Sequence, residues 1–166
     1  MTPPAPWTSD VDAVIWLQRG PPAIAGLISY RHGPVGPYAE AFVAPLGRRG
    51  AQVTFMAVDS ERSLAGGRGN WALPKELARF DGDAGTPGRV TVTGDGWTLA
   101  ATTRARARSF PAWGMFVVAQ PWADGVTRRF RVSIRGRARL GSVEVDGRRH
   151  AAVLISGRQV VGPPAR

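Results

Sequence analysis

Hydrophobic and polar positions alternate in short runs along this chain, and glycine or proline interrupts them at frequent intervals. Period-two runs of β-branched and aromatic residues between turn-formers predict strands rather than helices. The pattern places strands at 13–17, 23–30, 39–44, 52–58, 89–93, 97–103, 115–119, 128–134, 142–145 and 151–155. Asp95-Gly96 and Asp146-Gly147 each separate two such runs. An Asp-Gly pair supplies the positive φ of a tight hairpin turn, so each is expected to join antiparallel neighbours. Helix is expected in only two places. One is a turn over 61–64 capped by Asp59 or Ser60, and the other runs over 75–80, where Pro74 suits the first helical position. The class predicted is mainly β (α+β), a barrel or sandwich with a few short helices.

Composition bounds this picture. The 166 residues make one domain, 1–166, with 1–9 and 160–166 read as flexible ends from their prolines. The lack of cysteine excludes disulfides and thiolate metal sites, and His32 and His150 do not stand at metal-ligand spacing. Gly66-Gly67-Arg68-Gly69 lacks the Lys-Ser/Thr ending of a phosphate loop. Neither a metal nor a cofactor is expected. No apolar run is long enough to span a bilayer, and the start has neither the basic nor the apolar region of a secretory signal. The expectation is a cytoplasmic protein with no membrane partner.

Net charge is +10, with Arg104, Arg106 and Arg108 alternating along one run and Arg129, Arg131, Arg135, Arg137 and Arg139 along another. Such faces can track phosphates. Phe130, Val132 and Ile134 take the opposite parity, however, so the arginines are also what a half-buried strand shows to water or to another subunit. A nucleic-acid partner is therefore the weaker reading, and a homo-oligomer the stronger.

Lys75 is the one lysine among 22 basic residues, and it lies in an apolar stretch with Trp71, Leu73, Leu77 and Phe80. Burial disfavours an ammonium, and an unprotonated amine can attack a carbonyl to form a Schiff base whose cationic nitrogen draws electrons from a breaking bond. Arginine cannot substitute, because it stays charged. On the expected helix Arg79 shares a face with Lys75 and would oppose its charge, while the adjacent Glu76 would favour the ammonium but does not share that face. A lysine at a helix edge also commonly snorkels to water. Arg68 either binds a substrate carboxylate or fixes its loop through backbone carbonyls. Tyr38 and Trp71 either line a pocket or fill a core. Glu40 stands among Ala39, Ala41, Phe42 and Val43, where a buried carboxyl can move a proton.

At Gly67-Arg68…Trp71…Pro74-Lys75…Leu77-Ala78, and at Tyr30…Pro34-Val35-Gly36-Pro37-Tyr38…Glu40 upstream, the chain resembles the acetoacetate decarboxylase superfamily. The resemblance implies an antiparallel, cone-like β-barrel with a few short helices. It makes Lys75 the Schiff-base lysine and Glu40 the acidic residue beside it. The decarboxylases follow the reactive lysine with a second lysine; Glu76 stands there in this chain, leaving Arg79 as the candidate cation. Arg19 and Arg31 are the candidates for the family's catalytic arginine. The function implied is Schiff-base formation between Lys75 and a keto acid or related carbonyl substrate, followed by decarboxylation or a related lyase or aldol step. A barrel that only binds a small molecule is the alternative.

Overall fold

The computed structural model describes residues 2–165, of which the great part is strand. In chain order the elements are β1 (Trp7–Gln18), β2 (Ala23–His32), β3 (Tyr38–Gly47), β4 (Gly50–Ala51), β5 (Phe55–Val58), α1 (Glu61–Trp71), β6 (Lys75–Leu77), β7 (Arg79–Asp81), β8 (Gly88–Gly94), β9 (Trp97–Pro121), β10 (Thr127–Val145) and β11 (Arg148–Val161). They form one sheet in the order β6-β5-β3-β2-β1-β11-β10-β9-β8-β7, with β4 pairing β3 and meeting β9 through Ala51 and Val118. Neighbours are antiparallel except β5 with β6 and β4 with β9. No described helix is long and apolar enough to cross a membrane.

Both Asp-Gly pairs are hairpin turns. Gly94 pairs with Trp97 around the first, and Val145 pairs with Arg148 around the second, where Asp146 and Gly147 hold φ of 46° and 79°. Positive φ at both central residues of the second turn matches the twist of the strands it joins, while in the first Gly96 alone takes positive φ, at 75°.

Two pairs of expected strands prove continuous. The runs at 97–103 and 115–119 belong to β9, 25 residues long, and those at 128–134 and 142–145 to β10, 19 residues long. The polar stretch from Arg104 to Pro111 breaks the alternation; Arg104, Ala105 and Ser109 to Pro111 pair with β10, while Arg106, Ala107 and Arg108 fall in an irregularity opposite Leu140. A register shift between Arg139 and Gly141 marks where the ladder bends. Strands also reach into both stretches expected to be flexible: β1 begins at Trp7, β11 runs to Val161, and Ala165 bridges to Arg129. Residues 1 and 166 lie outside the described chain.

The helices depart furthest from expectation. α1 extends to Trp71, well past the turn predicted, because its glycines serve packing rather than a loop. A Cβ on Gly66 would meet the Trp7 ring at 2.2 Å, and one on Gly67 would meet Lys75 Cε at 2.4 Å. The helix over 75–80 does not form. Ala72, at φ 52°, stops α1 in the left-handed region, and Leu73 N–H returns to Gly67 O at 3.2 Å. The chain then adds Lys75–Leu77 in parallel to β5, pairing Met56 with Lys75 and Val58 with Leu77. A six-residue helix would be costly to nucleate, whereas the open edge of β5 offers partners at once.

The sheet packs a core on each face. Along β1, Trp7, Val11 and Ala13 join Ile28, Tyr30, Phe42 and Met56 on one side, while Val14 and Trp16 join Ala25, Leu27, Val92 and Val143 on the other. Strand alternation alone assigns each residue its side. Lys75 and Glu40 fall on the first.

Candidate active site

Strand parity and the end of α1 bring the candidate residues together. Glu40 projects from β3 into the first core, and Lys75 enters from β6, two strands away. Its stem runs along the bare face of Gly67, so its amine ends beside Ser63 in the first turn of α1. Lys75 Nζ donates to Glu40 Oε2 at 2.9 Å and to Ser63 Oγ at 2.8 Å. Lys75 is 3% exposed, Glu40 4% and Ser63 fully buried. Removing one partner of such a buried pair typically costs about 3–5 kcal/mol, because the other charge is left uncompensated.

Two aromatic rings complete the inner wall. Tyr30 O–H donates to Glu40 Oε1 at 3.2 Å, the Tyr30 and Tyr38 rings stack at 4.1 Å, and Lys75 Nζ lies 5.2 Å from the Tyr38 ring. Burial first, and then the negative charge of Glu40, push both phenols well above the ordinary tyrosine value. They remain neutral hydrogen-bonding groups while Glu40 is charged.

These groups stand at one end of a cavity of about 630 Å³. Phe42, Met56, Trp71, Phe130, Val132 and Ile155 supply much of its wall. The cavity reaches the surface past Leu17, Trp113, Met115, Leu140 and Val153, all of them exposed apolar side chains. Its size falls within the range of roughly 300–1,000 Å³ common for small-molecule sites.

Of the residues singled out in the sequence, Lys75, Glu40, Tyr38 and Trp71 line this cavity. Trp71 is also a structural anchor, donating Nε1–H to Gly162 O at 2.7 Å and meeting Trp7 edge-on at 5.0 Å. Arg68 does not line it: its guanidinium donates to the Lys75 carbonyl at 3.0 and 2.6 Å, which fixes the backbone of β6. Arg31 alternates away from Tyr30 along β2 and bonds Asp12 at 2.8 Å and Asp83 at 2.7 Å, partly in water. Glu76 points to the opposite sheet face, where Oε1 accepts from Trp97 Nε1 at 2.8 Å. Arg79, expected on a helical face with Lys75, is exposed on β7 in register with Thr93. A helical offset of four has no meaning across two strands, so Arg79 does not stand over the Lys75 amine.

Sequence reasoning missed Ser63 and Tyr30 as partners of the pair. Tyr30 sits in the upstream block, two residues of alternation from Ile28, and its inward parity was readable. Ser63 carried no signal of its own, since its role depends on where the Lys75 stem ends.

A family model described as acetoacetate decarboxylase matches residues 10–111. No curated protein matches the chain. Among solved structures, the acetoacetate decarboxylase of Legionella pneumophila is 14% identical, with 99% of this chain and 88% of that one covered at a TM-score of 0.67. A second acetoacetate decarboxylase structure gives 14% identity, 99% and 90% coverage and a TM-score of 0.68. The enduracididine biosynthesis enzyme MppR, complexed with pyruvate, gives 13% identity, 99% and 91% coverage and a TM-score of 0.64. At such identity these likenesses concern the fold, and with the family match across well over half its residues they show that the chain belongs to the acetoacetate decarboxylase family.

Proposed function

We propose that this protein is a Schiff-base enzyme in which Lys75 condenses with a carbonyl substrate, followed by a lyase or aldol-type step at the carbon next to the imine. The observation that carries the reading is a lysine amine, 3% exposed, held by Glu40 and Ser63 at the end of an apolar cavity. Family membership supports it. Glu40 takes a proton from the ammonium, and the freed Nζ lone pair adds to the carbonyl carbon. The carbinol oxygen takes one proton from the attacking nitrogen and then the proton held on Glu40, leaves as water, and the cationic imine is left facing the restored carboxylate. The electron pair of a breaking Cα–C or Cα–H bond then moves into the imine, neutralising its nitrogen. We read the sheet around this site as a cone-like barrel, since β4 joins β3 on one side and β9 on the other.

The salt bridge also favours a second reading, a cavity that binds without reacting, because an amine that keeps its proton cannot attack. Reductive trapping separates the two. Incubation with keto acids and simple ketones in the presence of borohydride is expected to add the reduced substrate's mass to the peptide carrying Lys75. The lone lysine makes the assignment direct, and Lys75→Ala supplies the control. Absence of adduct on that peptide with every carbonyl compound would sink the imine mechanism.

A further inference from the structure

The side chains lining the cavity restrict what it can hold. Among the described residues, Lys75 and Glu40 are the only charged groups in the lining, although the chain carries 22 basic residues. Arg68, the candidate for a substrate carboxylate, and Arg31, a candidate catalytic arginine, are committed elsewhere, and the other candidate, Arg19, is not part of the lining. Glu40 already balances the one cation, whether that cation is the ammonium or the imine formed from it. A substrate carboxylate would be a second anion in an apolar enclosure with no cation left to pair with it, which is among the least favourable burials a protein site can make.

A polar feature of a different kind lies in the same lining. Gln159 on β11 is 7% exposed, and among the described residues its Oε1 has no hydrogen-bond partner. It stands directly opposite Ser9 of β1, itself 6% exposed, so the two side chains share the cavity face of the ladder. Buried amides are nearly always satisfied; the Gln159 side chain lies on the cavity wall with Oε1 covered and without a partner among the described residues, so a small turn of the amide would bring it to a ligand's hydrogen-bonding group. A side-chain amide offers both a donor and an acceptor, which suits a hydroxyl or carbonyl rather than an anion.

Resting on the Lys75 imine reading, we propose that the substrate is a neutral, largely apolar carbonyl compound with a second hydrogen-bonding group, which Gln159 beside Ser9 holds. The apolar body lies along Phe130, Val132 and Ile155, and a longer chain extends past the exposed Trp113 and Met115. Such a substrate has no carbon dioxide to lose. The imine then draws its electrons from the Cα–H bond, the proton passing to the Glu40 carboxylate and an enamine forming.

The test compares three ten-carbon probes: a methyl ketone, the same ketone with a hydroxyl on its far end, and the β-keto acid of equal length. Binding is read by tryptophan fluorescence, since Trp7 and Trp71 line the cavity, and imine formation by borohydride trapping at Lys75. Both ketones are expected to bind and trap about tenfold better than the acid, with the hydroxyketone the tighter by about fivefold. In Gln159→Met, close in shape, the two ketones are expected to bind equally, the preference for the hydroxyl being lost. An acid that traps as well as the ketones overturns the neutral-substrate assignment and leaves the imine reading intact. Equal affinity of the two ketones in the unaltered protein overturns the role of Gln159 without relying on any variant. Ketone binding with no adduct overturns the imine reading while the selectivity of the cavity stands.

Discussion

At the scale of single residues, the position of one amine depends on an atom that is missing. Gly67 leaves room for the Lys75 stem, and a Cβ there would lie 2.4 Å from Cε and 2.6 Å from Cδ. Gly67→Ala sets two effects against each other. Alanine favours helix over glycine by about 0.5–1 kcal/mol, while displacing the stem breaks the bonds to Glu40 and Ser63. Net stability in urea is expected to fall by about 2–4 kcal/mol, the lost pair outweighing the helix gain, and trapping at Lys75 to fall by about tenfold. Unchanged trapping would show that the stem has slack the packing does not suggest. This contact was not legible in the sequence, where the Gly-rich stretch is compatible with a loop. The identity of the lysine was legible, because a lone lysine in an arginine-rich chain stands where charge alone would not require it.

At the scale of elements, the turn between α1 and β6 decides what faces the cavity. Had 75–80 been helical, Arg79 would have stood over Lys75; as strand, alternation sends Glu76 to Trp97 and keeps it from the amine. Local propensity could not choose, because Pro74 suits the start of either element and the deciding partner, the edge of β5, is more than fifteen residues upstream. The turn itself carries strain that can be relieved. Ala72 holds φ 52°, a region that penalises a Cβ by about 1–2 kcal/mol, and glycine is the usual residue there. Ala72→Gly is expected to raise stability by about 1 kcal/mol after its larger unfolded-state entropy is counted. A urea midpoint that rises with an unchanged slope would bear this out, and a lower midpoint would mean the methyl is packed.

For the whole molecule, the two tyrosines report on the integrity of the first core. They are the only tyrosines in the chain, and both phenols titrate well above their ordinary value through burial and the charge of Glu40. A folded value above the unfolded one means that unfolding releases phenolic protons. The resulting stability is fully present below about pH 10, the unfolded phenol value, and is lost as pH rises toward the folded values. Absorbance near 295 nm is therefore expected to stay flat until circular dichroism reports unfolding, and then to rise with it. A phenolate step that precedes unfolding would place at least one tyrosine in contact with water.

The sequence by itself determined the β class, both Asp-Gly hairpins, most strand positions and the pairing of Lys75 with Glu40 as candidates. All of these rest on local alternation, turn chemistry or motifs carried within short segments. Only the tertiary structure decided that β9 and β10 run unbroken, that Lys75 lies on a strand rather than in a helix, that Ser63 and Tyr30 complete its surroundings, and that Arg68 and Arg31 stay out of the cavity. Each of those outcomes turns on a hydrogen bond or a contact between residues far apart in the chain, whose energy no local pattern contains.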